Sequence, residues 1–522
     1  MRRREFLLGA AMAPMSGGVP ATGPAPRPPS RFSHRIPPTD RDIARNRWYI
    51  EDPPVPEYRW APDDAYEAFL DLKYGVRIHW GLYSIWKLNG ESWPFLQMPH
   101  EKRQQYQELY RNWKPQGFDA TQWMELFAEC GMKMFAFTTK HHDGFSMFDT
   151  RTRVRQRVNW TAPGGPKVEP CDVAYSIMET PFRRDVVGEL CKAARRRGIK
   201  IDLYFSHSDW YDADFRPYGY HPLQTPSAPR LTNAQLPGEP SELERARKRL
   251  GERLVMAPDP TPEETRRMLL RHRTQLTELL TRYGSIDMLC LDIWLGPTVW
   301  PQLRETLLHL RRLQPNVMLR ARGIGNYGDY YTPEGFVPGS KENTDAPWFV
   351  IHKLGTSFSY DAEAKNYKGA GWIVRNLVDA VSKGGNFMVG IGPDGDGRFH
   401  PTAIEQIREA GVWLKINGEG IFATRPREGD RWREGEEIRF TRSKDGRVVY
   451  AFALQWPGRT LILKTVSPPD GSRMWLLGWR RPVRWRRQGD GVEVEIPAEL
   501  QNESRRPCRF AWALKVEAAK KA

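Results

Sequence analysis

The chain has 522 residues, enough for two or three domains and a large core. Lys and Arg number 79 against 63 Asp and Glu, a formal charge of +16, but the basic stretches (195–197, 245–253, 480–487) are scattered and no nucleic-acid motif accompanies them, so a solvated basic surface is expected and no nucleic-acid partner. The five cysteines (Cys130, Cys171, Cys191, Cys290, Cys508) are odd in number with no CxxC spacing, which argues against a disulfide framework and a zinc ribbon.

In chain order, Arg3-Arg4-Glu5-Phe6-Leu7-Leu8 reads as a twin-arginine signal, followed by a short apolar stretch and a cleavage site at Val19-Pro20-Ala21. A signal peptide over 1–21 and a periplasmic or secreted location are therefore expected. That stretch is too short to span a bilayer and no other segment is long and apolar enough, so no membrane insertion is expected. Residues 22–60 are rich in Pro and Arg and read as a linker or wrapping arm. From 61 the chain alternates apolar runs with amphipathic stretches, the rhythm of a parallel β/α fold. Strands are expected at 74–80, 132–139, 199–205, 287–292, 317–322 and 387–391. Helices are expected at 118–130, 185–197, 262–283, 299–313, 372–382 and 404–416. The Pro-rich, charged stretch 211–262 reads as an insertion over the rim. After about 430 a period-two alternation with tight turns takes over (438–441, 448–454, 460–464). The expected architecture is α/β: a (β/α)8-like TIM barrel over 61–430, followed by an antiparallel β-sandwich over 431–522.

In such a barrel the reactive groups sit at the C-terminal tips of the strands. The apolar run Asp287-Met288-Leu289-Cys290-Leu291 ends in Asp292, and a second rim carboxylate, Glu334, follows 42 residues later. Two carboxyls facing one pocket is the chemistry of glycoside hydrolysis, and the plainer reading is an Asp that caps the next helix. His79-Trp80, His141-His142-Asp143 and Tyr204 with His207 also fall at strand ends. A lone histidine there is more often structural. The adjacent pair His141-His142 can reach one pocket only if the strand has already ended, because neighbours in a strand face opposite ways. With Asp292 these histidines could make a metal site, but no H-x-H or H-E-x-x-H spacing is present, so neither metal nor cofactor is expected. The 20 tryptophans suit the stacking of sugar rings, although core packing is the commoner use of any one.

Several segments resemble the α-L-fucosidases of glycoside hydrolase family 29. Tyr74-Gly75-Val76-Arg77-Ile78-His79-Trp80-Gly81-Leu82-Tyr83-Ser84 is similar to the family's first strand, and Thr139-Lys140-His141-His142-Asp143-Gly144-Phe145 to its [AT]-K-H-H-D-G-F motif. Asp185-Val186-Val187-Gly188-Glu189-Leu190, Val378 through Pro393, and Trp413 through Glu419 resemble further motifs in the same order. The resemblance covers roughly 65–515.

It implies a retaining mechanism without a metal, acting on a fucosylated glycan or oligosaccharide. Asp292 corresponds to the nucleophile, Glu334 to the acid/base in part of the family, and Arg322 to an arginine that keeps the nucleophile ionised. His79, His141 and His142 correspond to residues that grip fucose hydroxyls, and Tyr204 and Trp93 to pocket aromatics. The acid should stay protonated near neutral pH, so a site unfavourable to charge is expected at Glu334. The chain departs from the family pattern at Cys290 (often Trp), at Ser92-Trp93 (Glu-Trp, with Glu91 displaced by one), at Trp348-Phe349 (Trp-Glu) and at Gly390 (Asn). With no carboxylate at Phe349, Glu334 is favoured as the acid, with Glu342 in reserve. The departures leave open a related retaining glycosidase with altered sugar preference, or a weakened carbohydrate-binding homologue. The sequence is compatible with an oligomer.

Overall fold

The computed structural model describes residues 30–38, 40–216, 218–223, 258–338 and 346–517. The expected signal peptide, Glu342 and residues 224–257 of the expected insertion lie outside the described residues.

Seven parallel strands form the catalytic sheet: β1 (Tyr74–Ile78), β2 (Met134–Lys140), β3 (Lys200–Ser206), β4 (Met288–Asp292), β5 (Met318–Leu319), β6 (Phe349–Lys353) and β7 (Asn386–Ile391). Their order is β5-β4-β3-β2-β1-β7-β6. Between the two ends lies the segment 330–334, which bridges Arg320 through Tyr330, Trp348 through Tyr331 and Ile351 through Glu334. This segment is the eighth stave and closes the ring. The strands read as near-continuous apolar runs because a parallel sheet is buried on both faces.

Helices α1 (Asp63–Leu72), α2 (Ala120–Glu129), α3 (Val186–Arg196), α4 (Pro262–Thr281), α5 (Trp300–Leu313), α6 (Ala370–Ser382) and α7 (Pro401–Asn417) accompany the sheet. Their starts are written locally. Asp119 accepts from the Thr121 and Gln122 amides, Asp185 from Gly188, and Thr261 with Glu264 forms a reciprocal capping box. The barrel floor is rich in methionine: Met134, Met288, Met318 and Met388, one from each of four strands, pack with Phe349 and Ile351. Tyr66, Phe69 and Leu72 of α1 join the same cluster and plug the floor.

The C-terminal domain is antiparallel. Its strands β8 (Ile438–Ser443), β9 (Val448–Ala453), β10 (Thr460–Leu463), β11 (Met474–Leu476), β12 (Pro482–Gln488), β13 (Gly491–Glu495) and β14 (Trp512–Glu517) run in the order β8-β9-β14-β11-β12-β13-β10. Phe440 from one end of this sheet and Leu463 from the other share one apolar core, so the two ends face each other. Tyr450, Phe452, Ala511 and Ala513 instead join the barrel's core beside Trp413, whose indole donates to the Ala511 carbonyl at 2.7 Å.

Described residues of the expected arm (22–60) reach the barrel through Ile36, Val55, Tyr58 and Trp60, which bond Asn326 and Tyr327, and the chain just after it is tied at Asp329, which is fully buried. Its carboxylate accepts from the Ala61 amide (3.0 Å), the Tyr66 hydroxyl (2.9 Å), the Leu319 amide (2.6 Å) and the Arg311 guanidinium. Asp329→Ala strands a buried guanidinium and several donors. It is expected to cost about 3–5 kcal/mol, read as a drop in the denaturant midpoint, and an unchanged midpoint would count against this account of the arm.

Candidate active site

A cavity of about 870 Å³ opens at the C-terminal ends of the strands, a size suited to a small ligand. All eight sequence-selected residues line it: His79, Trp93, His141, His142, Tyr204, Asp292, Arg322 and Glu334.

Asp292 ends β4 and is 8% exposed. Its Oδ1 accepts from Arg322 Nη1 at 2.9 Å and from the Ile293 amide at 3.0 Å, and its Oδ2 from the Tyr204 hydroxyl at 2.6 Å. His142 Nε2 stands 3.9 Å from Oδ2 and Arg320 Nη1 3.8 Å from Oδ1. Burial pushes this carboxyl up, but Arg322 and Arg320, helped by His142 and the Tyr204 hydroxyl, hold it well below the usual carboxylate range. Ile293 adopts φ +65°, a conformation costly for a β-branched side chain, as the chain turns sharply away behind the carboxylate.

Glu334 sits on the eighth stave with 40% of its side chain open to the cavity. Its Oε1 lies 3.1 Å from Arg322 Nη1 and 3.0 Å from Arg320 Nη2. The Asp292 and Glu334 oxygens therefore share one guanidinium nitrogen and are at most about 6 Å apart. That fits the short carboxyl separation of retaining glycosidases, about 5–5.5 Å, and falls short of the roughly 6.5–9.5 Å of inverting ones. The expectation of a surrounding unfavourable to charge is corrected: partial desolvation raises the Glu334 carboxyl, but Arg322 and Arg320 outweigh it and hold it below the ordinary glutamate range.

β2 ends at Lys140, so His141 and His142 lie beyond the ladder, and the following turn brings both to the cavity. Each ring is oriented through Nδ1, His141 against Ser92 Oγ (2.5 Å) and His142 against Ser206 Oγ (2.6 Å). Ser92, where the resembled family has Glu, thus supports a histidine. Burial first, then neighbouring cationic groups, keep His79 and His141 well below the ordinary imidazole range, hence neutral and able to exchange hydrogen bonds with hydroxyls. His79 Nδ1 has no hydrogen-bond partner among the described residues. Trp93, Tyr220 and Trp294 meet edge to face along one wall. Tyr220 belongs to the expected insertion. Lys140, Asp143 and His207 turn away from the cavity, Lys140 toward Asp209 (3.7 Å), Asp143 to the Tyr106 hydroxyl (2.5 Å) and His207 to His272 (2.9 Å).

Sequence reasoning passes over Arg77, Arg320, Lys353 and Phe358. The first three share inward faces with selected residues or floor residues two positions away, so period-two alternation carries their signal. Glu91 also lines the cavity. Its Oε1 accepts from Ser357 Oγ (2.7 Å) and the Phe358 and Ser359 amides (2.9 and 3.1 Å), and burial keeps its carboxyl above the ordinary range despite those donors. Among the described residues, no group of three or more His, Cys, Asp or Glu side chains is placed to hold a metal ion.

A β/α barrel whose strand tips carry two closely spaced carboxylates over a sugar-sized cavity defines a glycoside hydrolase. Residues 55–419 match the α-L-fucosidase family and 433–517 match the α-L-fucosidase C-terminal domain. The chain belongs to this family, the α-L-fucosidases of glycoside hydrolase family 29. It is 28% identical to human tissue α-L-fucosidase over 485 residues, covering 87% of this chain and 89% of that one. To rat plasma α-L-fucosidase it is 26% identical over 483 residues, covering 85% and 90%. Among solved structures it is similar to α-L-fucosidase isoenzyme 1 from Paenibacillus thiaminolyticus (TM-score 0.68, 25% identity, covering 88% and 99%). The fold is also that of a family 29 α-L-fucosidase from Bacteroides thetaiotaomicron (TM-score 0.67, 23% identity, covering 89% and 97%).

Proposed function

We propose that the protein is an exo-acting retaining α-L-fucosidase that removes terminal α-L-fucose from glycans or oligosaccharides through a glycosyl ester on Asp292. The observation that carries this reading is the single Arg322 nitrogen shared by Asp292 and Glu334. Asp292, ionised and held by Tyr204 and Arg322, attacks the anomeric carbon while Glu334 protonates the departing oxygen. Glu334 then takes a proton from water, whose attack frees the sugar and regenerates Asp292.

The charges alternate usefully through this cycle. Ionised Asp292 raises the Glu334 carboxyl, which favours the acid role in the first step. Once Asp292 is an ester that push disappears, and the two arginines leave Glu334 a carboxylate ready to act as base. His79, His141 and His142 hold ring hydroxyls, and Trp93 and Tyr204 flank the sugar. The plugged floor closes the cavity at its inner end, which supports recognition of a chain terminus. The Arg3-Arg4 motif supports export of the enzyme to the periplasm or beyond.

Proton NMR of the sugar first released from an aryl α-L-fucoside tests the stereochemistry. The α anomer is expected first, turning to the equilibrium mixture afterwards. The β anomer first would overturn the two-step mechanism.

A further inference from the structure

Arg77 lies two residues before His79 on β1, points into the barrel and lines the cavity floor. It is 3% exposed. Its guanidinium carbon stands 4.8 Å from the centroid of the Tyr204 ring, and its Nη1 donates to Cys290 Sγ at 3.3 Å. A thiol is a weak acceptor. Among the described residues no other hydrogen-bond acceptor meets this guanidinium, and no carboxylate lies within ion-pair distance of it. Arg320 and Arg322, by contrast, both reach Glu334 and Asp292. The carboxylate nearest in the layering, Asp202, has no hydrogen-bond partner on either oxygen among the described residues.

Lys353 also lines the cavity, its Nζ 5.1 Å from the Phe358 ring centroid, with no carboxylate in ion-pair distance among the described residues. Arg77, Gly390 and Lys353 are register neighbours across β1, β7 and β6. Phe358 fills the notch over Gly390, where an added Cβ would come within 2.4 Å of its ring, and stacks on His79 at 5.2 Å. The β7–β6 side of the cavity therefore offers one aromatic face and the Lys353 ammonium, while the Arg77 side chain crosses the floor from β1 and places its guanidinium beneath Tyr204 and beside Cys290; among the described residues neither cation has a carboxylate within ion-pair distance. Burial disfavours this guanidinium and Cys290 and Asp202 offset that electrostatically, but no oxygen among the described residues accepts its hydrogen bonds, a role that a ligand oxygen can fill.

The following step rests on the proposed retaining mechanism and on the histidines as hydroxyl grips. The anomeric carbon lies over Asp292 on β4. The ring hydroxyls meet His142 and His141 beyond β2 and then His79 on β1. Going round the barrel in that sense, C5 arrives on the β1–β7 side against Phe358, and an exocyclic group directed at the floor meets the Arg77 guanidinium where it crosses beneath the sugar. A methyl group there satisfies Phe358 and leaves Arg77 without an acceptor. We propose that the pocket also accepts α-L-glycosides of the galacto configuration that carry oxygen on the exocyclic carbon, as a hydroxymethyl or a carboxylate, and that Arg77 is the specificity residue that hydrogen-bonds this oxygen.

The experiment compares kcat/KM of the full chain on the 4-nitrophenyl α-L-glycosides of fucose, galactose and galacturonic acid, for wild type and Arg77→Leu. Wild type is expected to turn over one or both oxygenated substrates at least as well as the fucoside, and the preferred one identifies hydroxymethyl or carboxylate. Arg77→Leu is expected to lower the oxygenated-to-fucoside ratio by about 10- to 100-fold. An unchanged ratio, or wild-type discrimination against both oxygenated substrates by more than about tenfold, overturns the assignment. Calorimetric binding of free L-galactose, L-galacturonate and L-fucose to wild type gives the same comparison without a variant and without turnover. Tighter binding of an oxygenated sugar supports the role of Arg77, and tighter binding of fucose than of both overturns it. Absence of turnover on all three substrates counts against the glycosidase reading alone, because the binding comparison still decides on Arg77.

Discussion

Asp292→Ala is expected to lower kcat on an aryl α-L-fucoside by about 10⁴-fold or more, equivalent to roughly 5.4 kcal/mol of transition-state stabilisation. The variant should still bind fucose, because the histidine grips and the aromatic wall are untouched. Azide is expected to restore part of the rate by entering the space left by the carboxylate. It attacks from the nucleophile's face in one displacement, so the product is the β-L-fucosyl azide. A protein that only binds sugar would show equal, background turnover in wild type and variant, and that result would remove the catalytic reading. The large effect follows from the surroundings of Asp292: Tyr204, Arg322 and the Ile293 amide hold an ionised oxygen pair in place, and no neighbouring carboxylate can take over, since Glu334 lies on the other side of Arg322.

Glu334→Ala is expected to produce a loss that depends on the leaving group. On an unactivated glycan the rate falls by about 10²- to 10⁴-fold, the usual worth of a positioned acid. On an aryl fucoside with an acidic phenol the first step survives and the ester accumulates, because water then lacks its base. Azide, needing no base, releases the retained α-L-fucosyl azide, opposite in configuration to the product from Asp292→Ala. The pH profile supplies an independent check. The acid role requires protonated Glu334, and the two arginines hold its carboxyl low, so kcat/KM on unactivated glycans should decline as pH rises from the acidic range through neutrality. Activated aryl substrates should lack that decline. If glycan hydrolysis held level up to neutral pH and survived Glu334→Ala, the acid would be another group, and Glu91, whose carboxyl burial keeps above the ordinary range, would be tested next through Glu91→Gln.

Much of this site is legible in the amino-acid sequence. The strand ends at Asp292 and Lys140 carry apolar runs that stop at polar residues, and tertiary packing enforces that stop, because the buried ladder gives way to the cavity there. The helices α2 to α7 announce themselves by amphipathic period and by caps such as Asp119, Asp185 and Thr261. The strand β6 and the helix α1 escape such a reading. In Phe349-Val350-Ile351-His352-Lys353 the apolar run stops after three residues at His352, and α1 carries an amphipathic spacing in Tyr66, Phe69 and Leu72, which pack against the methionine floor, but follows directly on the Pro-rich arm. The strand expected over 317–322 pairs only at Met318–Leu319, because Arg320 leaves the ladder to bridge Tyr330. The electrostatics of Glu334 are less legible, because although Arg320 and Arg322 lie on the stave just before it in the chain, only the fold brings both within 3.1 Å of its carboxylate.

The two carboxylates stand on unequal supports. Asp292 ends a strand laddered to β3 over five residue pairs, whereas Glu334 rides on a stave joined to its neighbours by isolated bridges, just before Gly335 at φ +79° and the exposed Phe336. Backbone hydrogen bonds such as Ala321 to Tyr330, Phe349 to Tyr331 and Ile351 to Pro333 hold this stave, but with fewer ladder pairs than β4 it is expected to open at lower free energy than the barrel unfolds. On heating, Glu334 is therefore expected to leave Arg322 while the rest of the ring is intact, so activity should be lost a few degrees below the calorimetric melting midpoint, and inactivation coinciding with melting would count against this reading of the eighth stave.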